Sequence, residues 1–271
     1  MKRCYLILRL CAPFILKAQQ PGNKPFILGQ IKEINSTQLA EKRLLNIYLP
    51  YGYKQNDTIR YPVIYLLDGS ANEDFIHISG LVQFLNLAEM MPKVIVVGIA
   101  NIDRKRDFTF PTTNVKDKKD FPTTGSSAKF ISFIEKELQP FIDKTYKTNS
   151  SRTIIGESLG GLLATEILLR KPYLFNKYVI VSPSLWWDDE SLLKNAPMLL
   201  ASQADRPAAV YVAVGVEGKQ MEDDARDLAK VLQTNGKKDW KVMFARFPDE
   251  NHLTILHNSA YKALKVLFSK P

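Results

Sequence analysis

Short apolar runs that are rich in β-branched residues alternate with helical patterns along most of this chain. The clearest of these runs read YPVIYLL, KVIVVGIA, RTIIG, KYVIVSPS, AAVYVAVG and KVMFARF. Each is typical of a strand that is buried on both faces, as the strands of a parallel sheet are. A regular alternation of strands and helices predicts an α/β fold, in which a mostly parallel central sheet carries helices on both faces.

Apolar residues recur at helical spacing between several of these runs. This spacing predicts helices in SSAKFISFIEKELQPFIDKTY, LGGLLATEILLRKP, DDARDLAKVLQTNG and SAYKALKVLFSK. Pro140 should kink or restart the first helix, because proline lacks the N–H group that a helix interior needs. The segments PFILGQIKEI and KRLLNIYLPYGY alternate in part, which predicts an antiparallel pair at the N-terminal edge of the sheet. The stretch from Asn101 to Thr124 has little periodicity and reads as a long loop, and such loops are usually functional or mobile.

The composition is that of a single globular domain. The chain has 271 residues, 45% of them hydrophobic and 24% charged, and no shift in composition divides it into two cores. The net charge of +9 is spread along the sequence without a nucleic-acid-binding motif, so we expect no nucleic-acid partner. No apolar run approaches the roughly 20 residues that a membrane span requires, and we expect no integral membrane segment. The sequence leaves the oligomeric state open.

The N-terminus, MKRCYLILRLCAPFILKAQQ, resembles a secretory signal peptide, with basic residues before a short apolar stretch. Arg9 interrupts that stretch, so an N-terminal arm that is packed or disordered is the alternative. We predict a signal peptide over residues 1–18, a single domain over residues 19–271, and a periplasmic or secreted protein. Both cysteines, Cys4 and Cys11, lie in the predicted signal peptide. Its removal would therefore exclude disulfides, cysteine-held metals and a cysteine nucleophile.

The segment RTIIGESLGGLLA places Ser158 between Gly156 and Gly160, after a strand pattern and before a helix pattern. G-x-S-x-G alone is weak evidence, and an ordinary glycine-rich turn is the alternative. The context, however, is that of a nucleophile elbow, in which a serine stands on a sharp strand-to-helix turn. Small neighbours let the strand and helix approach closely, and the N-terminus of the helix stabilises negative charge. The sequence therefore predicts that Ser158 is a nucleophile.

A serine nucleophile needs a base, and the histidines of this chain are His77, His252 and His257. A sheet of this type uses the order serine, acid, histidine, which excludes His77. The order favours His252, in the loop before the last helix pattern, and leaves His257 as the alternative base. Glu217, in the turn after AAVYVAVG, is the candidate acid that would orient the imidazole; the alternative is a solvated loop carboxylate. Other acids lie between Ser158 and His252: Asp188 and Asp189 follow Trp187, and we expect Asp223 and Asp224 to cap the next helix.

Two further groups of residues are expected around the nucleophile. An oxyanion hole needs two backbone N–H donors, and we expect them from Leu159 and from the loop around Gly69 and Ser70. The segment SPSLWW follows a core strand, and ligands of open α/β sheets bind at that edge. We predict that Trp187 lines the substrate pocket and that Arg106 faces it, attracting an anionic or aromatic acyl group. Alternatively, both tryptophan rings belong to the core.

The chain resembles the "Putative esterase" family of α/β-hydrolases, in its branch of enterochelin-esterase-like and siderophore trilactone hydrolases. The resemblance rests on YLLDG, on FIEKELQPFIDKTY with RTIIGESLGGLLATEILLRKPYLF, on VSPSLWW and on DENHLT. It extends from about Phe26 to Leu267, and relatives include feruloyl and acetylxylan esterases. The resemblance implies an α/β-hydrolase fold, with Ser158 as nucleophile and His252 as base. VGVEG resembles the position at which relatives carry a glutamate, which supports Glu217.

The expected function is a serine carboxylic-ester hydrolase that works through an acyl-enzyme. Its substrates would be small-molecule or oligosaccharide esters, such as siderophore esters or aromatic and acetyl esters of carbohydrates. This mechanism requires no metal and no organic cofactor. One alternative is a binding protein without activity that captures a ferric siderophore on the same fold. Another is an acyltransferase, which would use the same three residues and differ only in the acceptor.

Overall fold

The computed structural model describes residues 24–56 and 58–269. In these residues eight strands form one sheet. In chain order the strands are β1 (Gln30–Ser36), β2 (Glu41–Tyr48), β3 (Tyr61–Leu66), β4 (Ile95–Ile99), β5 (Thr148–Glu157), β6 (Lys177–Val181), β7 (Ala208–Val214) and β8 (Trp240–Arg246). The predicted signal peptide and both cysteines lie outside the described residues.

Across the sheet the strands lie in the order β1-β2-β4-β3-β5-β6-β7-β8. Strand β2 runs antiparallel to both β1 and β4, whereas all pairs from β4 to β8 are parallel. The predicted architecture, a mostly parallel sheet with an antiparallel N-terminal edge, is therefore confirmed. Because parallel strands end on the same side, the loops that follow β3 to β8 meet at one edge of the sheet.

The connections contain helices of very different length. In chain order these are α1 (Phe75–Leu87), α2 (Arg104–Phe108), α3 (Val115–Asp120), α4 (Ser127–Phe133), α5 (Gln139–Thr145), α6 (Leu159–Arg170), α7 (Trp187–Ala201), α8 (Lys219–Asn235) and α9 (Ile255–Phe268). A π-helical turn, Ile134–Leu138, joins α4 to α5. It ends at Leu138, two residues before Pro140, so the predicted interruption is absorbed by a wider turn and the chain continues as a helix.

Two hydrophobic cores lie on opposite faces of the sheet. On one face the buried side chains of α4, α5, α6, α7 and α8 pack against the strands. On the other face α1 and α9 cover the sheet. The central strands are buried on both sides; all five residues of β4 are buried, for example. This two-sided burial explains why these strands read as continuous apolar runs in the sequence.

Several local predictions are wrong. The stretch from Asn101 to Thr124 contains the short helices α2 and α3. Helix α1 carries Ile76, Phe84 and Leu87 on its exposed side, so its sequence lacks the amphipathic spacing that would have revealed it. Asp223 and Asp224 do not cap α8, since that helix begins at Lys219 and both residues lie inside it.

Candidate active site

Ser158 stands at the corner between β5 and α6 with φ +57° and ψ −118°. This positive φ is strained for a residue with a side chain. Close contacts require glycine at two positions of this turn: a Cβ atom at Gly156 would lie 2.3 Å from the Gly160 carbonyl oxygen. A Cβ atom at Gly161 would lie 2.9 Å from Pro183 Cα. The turn therefore has the geometry that the sequence predicts for a nucleophile elbow.

The serine turn is held in place by the loop after β6. The Ser158 N–H donates to the Val181 carbonyl at 3.0 Å, and the Ser184 N–H donates to the Ser158 carbonyl at 3.0 Å. The two hydroxyl oxygens, Ser158 Oγ and Ser184 Oγ, are 3.3 Å apart. Ser158 makes no side-chain cap on α6, and the first N–H groups of a helix have no acceptor within it. The Leu159 N–H is thus available to an oxyanion beside the serine.

Glu217 and His252 are brought together from the loops after β7 and β8. His252 Nδ1 and Glu217 Oε2 are 2.5 Å apart. The glutamate side chain is only 2% exposed, whereas the imidazole is 41% exposed. Glu217 Oε1 accepts hydrogen bonds from the Gly215 N–H at 2.8 Å and from the Ser182 hydroxyl. With Nδ1 bound to the carboxylate, Nε2 is the imidazole nitrogen left for proton transfer.

The electrostatics of this pair favour a charged carboxylate and a basic imidazole. Burial alone would raise the pKa of Glu217, but hydrogen bonds from His252, Ser182 and Gly215 outweigh burial and lower it. The hydrogen bond to Glu217 raises the pKa of His252 above its usual value of 6.5, more than burial lowers it. An imidazole of this kind is well suited to accept a proton from a hydroxyl.

Ser158 and His252 line the same cavity of about 400 Å³, a volume typical of small-molecule sites. Its other lining residues are Ser184, Trp186, Val216, Glu217, Met221 and Asn251. Trp186, Glu217 and Met221 also line a neighbouring cleft of about 530 Å³, together with Lys116 and Lys219 among other residues. The three residues predicted as nucleophile, base and acid therefore meet at one cavity.

The alternative bases and acids do not reach this cavity. The ring centroid of His257 lies 5.7 Å from that of His77, and His77 Nε2 lies 3.2 Å from Asp74 Oδ1. Asp188 accepts from Thr112 Oγ1 at 2.8 Å and the Thr113 N–H at 2.9 Å. The remaining candidate acids lie elsewhere on α7 and α8: Asp189, Asp223 and Asp224.

The loop after β3, which contains Gly69 and Ser70, contradicts one of the predicted oxyanion donors. The Gly69 N–H cannot serve as a donor, because it already donates to the Ile99 carbonyl at 3.0 Å. Gly69 is needed for another reason: a Cβ atom there would lie 2.4 Å from Gly98 Cα on β4. The Ser70 N–H donates to Glu73 Oε2 at 3.1 Å on the loop surface. Ser70 therefore remains the predicted second donor, provided that the Glu73 carboxylate moves aside for a substrate.

Trp187 and Arg106 do not line the cavity, contrary to the prediction. Trp187 is completely buried and its Nε1–H donates to the Phe110 carbonyl at 3.0 Å. The half-buried ring beside it, Trp186, forms the cavity wall instead. The two tryptophans stand at the start of α7, where neighbours do not alternate as they do in an extended strand. Arg106 is held by Glu41 and by Asp107, with Nη2–Oε1 at 2.7 Å and Nε–Oδ1 at 2.8 Å.

A second set of charged residues near Ser158 was not predicted. Asp68, at φ +53° after β3, accepts from Arg104 Nε at 2.6 Å and Nη2 at 3.0 Å. Arg104 Nη2 also donates to the Glu157 carbonyl at 3.1 Å. Glu157 Oε1 is buried without a partner among the described residues, and burial raises the pKa of Glu157 to about 8. A sequence signal existed, because Asp68 and Glu157 both stand where strand patterns end.

The described residues contain neither a candidate membrane span nor a candidate metal site. Between residues 24 and 269, apart from residue 57, no helix is both long and apolar enough to cross a membrane. The same residues contain no cluster of three or more histidine, cysteine, aspartate or glutamate side chains arranged to hold a metal ion.

Comparison with known proteins identifies relatives over most of the chain. The model of the family described as "Putative esterase" matches residues 36–260. Ferri-bacillibactin esterase BesA of Bacillus subtilis is 31% identical over 247 residues, covering 83% of this chain and 85% of the relative. An IroE-like serine hydrolase from Shewanella oneidensis superposes with a TM-score of 0.81 at 31% identity, covering 89% of this chain and 80% of that one. The BES protein from Bacillus cereus gives a TM-score of 0.78 at 28% identity, covering 93% and 99%.

Proposed function

The chain belongs to the "Putative esterase" family and has its α/β-hydrolase fold, and we propose that Ser158, His252 and Glu217 are the catalytic triad of this carboxylic ester hydrolase. The observation that carries the proposal is the 2.5 Å contact between His252 Nδ1 and Glu217 Oε2 at the cavity that Ser158 lines. A histidine oriented by a buried carboxylate, beside a serine on a strained turn, is the arrangement that serine acyl transfer requires.

The reaction proceeds in two halves. Ser158 Oγ attacks the ester carbonyl carbon while His252 Nε2 takes the hydroxyl proton, and the resulting oxyanion binds the Leu159 and Ser70 N–H groups. His252 returns the proton to the leaving alkoxide as the ester C–O bond breaks, which leaves an acyl-enzyme. Water then attacks the acyl carbon and gives its proton to His252. The carboxylic acid leaves and the proton returns to Ser158.

A fluorophosphonate tests this assignment directly, because it phosphonylates an activated serine and needs no knowledge of the natural substrate. We expect one label on the peptide containing Ser158, and p-nitrophenyl acetate hydrolysis that disappears as the label forms. A protein that binds ligands without catalysis would give neither result. Label on a different residue with loss of activity would show that the nucleophile is assigned wrongly.

We infer that the substrates are bulky esters of the siderophore class. BesA is named for ferri-bacillibactin, and a relative from Emericella nidulans is named as a siderophore enterobactin esterase. In this chain the catalytic cavity adjoins a cleft of about 530 Å³, and Trp186, Glu217 and Met221 line both spaces. The two spaces together can hold more than a short acyl ester, which suits a bulky substrate.

Trp186 offers the sharpest test of the substrate class, since its ring borders both spaces. Trp186→Ala should raise KM for siderophore esters about tenfold or more and raise KM for p-nitrophenyl acetate much less, because a small ester buries less surface against this wall. Trp240→Ala is the matched control, because that indole donates to the Arg206 carbonyl far from this cavity. Equal effects on both substrates would contradict the siderophore assignment.

A further inference from the structure

Helices α1 and α9 form one layer of the molecule, because both pack against the same core on one face of the sheet. Their outer sides meet at His77 of α1 and His257 of α9, whose ring centroids are 5.7 Å apart. The exposed side chains of residues 75–87 and 255–268 therefore form one continuous outer surface, which we call the α1–α9 face.

Helix α1 contributes an apolar stripe to this face. Ile76, Phe84 and Leu87 are 55%, 54% and 73% exposed, and their spacing places them on one side of the helix. Gly80 lies between them, and a Cβ atom there would meet no atom within 4 Å. The helix, FIHISGLVQFLNL, contains no aspartate, glutamate, lysine or arginine, although 24% of the chain is charged. An exposed helix of this composition is typical of an interaction surface.

Helix α9 contributes positive charge and no negative charge. Its sequence, ILHNSAYKALKVLF, contains Lys262 and Lys265 and no acidic residue. Lys262 Nζ lies 4.4 Å from the centroid of the Phe247 ring, and Lys265 Nζ lies 5.0 Å from that of the Tyr261 ring. Among the described residues neither lysine forms an ion pair, so both charges are available to a partner. On the opposite layer, by contrast, α8 contains four acidic residues: Glu222, Asp223, Asp224 and Asp227.

Carboxylates lie at the ends of the two helices. Asp74 precedes α1, with its Oδ1 atom 3.2 Å from His77 Nε2, and Glu89 follows that helix. Glu250 precedes α9 and accepts a hydrogen bond from Asn258 Nδ2. The helices themselves therefore present apolar side chains and lysines without acidic neighbours on the same two elements.

We propose that the α1–α9 face binds the surface of a membrane that contains anionic lipids. The apolar side chains of α1 would enter the boundary between headgroups and acyl chains, while Lys262 and Lys265 contact lipid phosphates. Charge complementarity selects this partner, since the chain carries a net charge of +9 and the lysines of this face are attracted to a negative surface. A second copy of the chain would bring like charges together and gain no opposite charge. The proposal does not depend on which residues are catalytic.

Vesicle flotation of the full-length chain tests the charge requirement. We expect the protein to float with vesicles of phosphatidylcholine and phosphatidylglycerol in equal parts, much less with phosphatidylcholine alone, and to be released at high ionic strength. Lys262→Glu with Lys265→Glu should weaken binding about tenfold or more. The matched control is Lys129→Glu with Lys230→Glu, which makes the same change in net charge on α4 and α8 of the opposite layer.

The apolar stripe is tested in the same assay by Phe84→Ser with Leu87→Ser. This variant should also bind about tenfold or more weakly, because less apolar surface enters the lipid. Both side chains are exposed, so kcat for p-nitrophenyl acetate should stay at the parent value, which verifies the fold. Met198→Ser is the control, since Met198 is 65% exposed on α7 of the opposite layer.

Lipids with brominated acyl chains locate the bound face, whichever other part of the chain touches the vesicle. They should quench the indole introduced by Phe84→Trp, because α1 lies at the lipid boundary. They should leave the indole introduced by Met198→Trp unquenched. The tryptophans of the parent pack against the core on the other face of the sheet and give a constant background: Trp186, Trp187 and Trp240.

Three results would overturn the proposal. The first is failure of the parent to float with the anionic vesicles. The second is equal binding of the face variants and their controls, or equal quenching at positions 84 and 198. The third is a dimer in sedimentation velocity that Phe84→Ser with Leu87→Ser converts to a monomer, because the α1–α9 face would then be a subunit interface.

Discussion

Glu217 and Glu157 are two carboxyl groups that both interact electrostatically with His252, and the molecule treats them in opposite ways. Glu217 accepts hydrogen bonds from His252, Ser182 and the Gly215 N–H, and its pKa lies below the usual value in spite of its burial. Glu157 has a buried oxygen without a partner in the described residues. Burial raises its pKa to about 8, and the charges of nearby Asp74, Glu217 and Asp68 add to this effect.

The contrast between Glu217 and Glu157 shows that hydrogen-bond donors, more than depth of burial, determine which of the two carboxyl groups is ionised. The loops after β6 and β7 supply donors to Glu217, whereas no donor in the described residues reaches the buried Oε1 atom of Glu157. At neutral pH the imidazole therefore has one ionised partner and one neutral neighbour. This asymmetry leaves Glu217 as the group that orients His252.

The largest effect should follow removal of the Ser158 hydroxyl. Ser158→Ala should lower kcat by on the order of 10⁶, because no acyl-enzyme can form. Steady-state hydrolysis of p-nitrophenyl acetate measures this loss, and the control is Ser202→Ala, whose exposed hydroxyl donates to the Leu199 carbonyl at the end of α7. If the Ser158→Ala enzyme keeps a tenth of the parent activity, Ser158 is not the nucleophile and the two glutamates do not lie at the active site.

Exchanging each glutamate for glutamine tests whether catalysis needs the ionised Glu217 and not the neutral Glu157. Glu217→Gln should lower kcat by roughly 10²–10⁴, because the amide cannot stabilise the imidazolium. Glu157→Gln should stay within about threefold of the parent at pH 7, because the native side chain is already neutral there. Asp223→Asn serves as a control on a surface acid that pairs with Lys219 and Arg226. Equal losses in the two glutamine variants would refute the distinction.

The pH profile should shift with Glu217. His252 acts as a base only when neutral, so kcat/KM rises as the pH passes through its pKa. The hydrogen bond to Glu217 raises that pKa, so the acidic limb of the parent should lie above pH 6.5. In Glu217→Gln the limb should move to lower pH, because the stabilising carboxylate is gone. Profiles from pH 5 to 9 at constant ionic strength measure the shift; an unchanged limb would contradict the assigned partner.

The last difference between the two glutamates concerns the stability of the fold. The pKa of Glu157 is about 8 in the folded protein against 4.5 as the reference, so the parent loses stability as the pH rises from 4.5 through 8. Glu157→Gln lacks this loss and should become more stable relative to the parent as the pH rises. The shift corresponds to at most roughly 5 kcal/mol. Urea unfolding at pH 5 and pH 8.5 measures it, and a gain of the same size at both values would rule out this cause.

The sheet was predictable because its strands are buried on both faces, which leaves continuous apolar runs in the sequence. The serine turn and the order of Glu217 and His252 were also visible, since an elbow needs small residues at fixed spacing. Helix α1 was not, because apolar residues occupy its exposed side as well. Helix α7 was not predicted either. Its first residues are irregular, because Asp188, Asp189 and Glu190 have positive φ values of 51°, 52° and 61°.

The contacts between distant loops could not be predicted from one sequence. Arg104 and Arg106 are two residues apart with the same side chain, yet one touches the serine turn and the other pairs with Glu41. Trp186 and Trp187 are adjacent, and only the fold decides which ring faces the cavity. The contacts of these side chains depend on which residues the other loops bring close to them. The local sequence pattern does not indicate those residues.

The positive φ of Ser158 also has a consequence for evolution. A strained residue of this kind is destabilising by about 1–3 kcal/mol, and glycine adopts the same conformation without a steric clash. Selection for stability therefore favours glycine at position 158, whereas selection for catalysis favours serine. The serine is retained only while the protein's activity on its substrate is under selection. In a lineage that no longer meets the substrate, we expect this position to drift towards glycine while the sheet around it is retained.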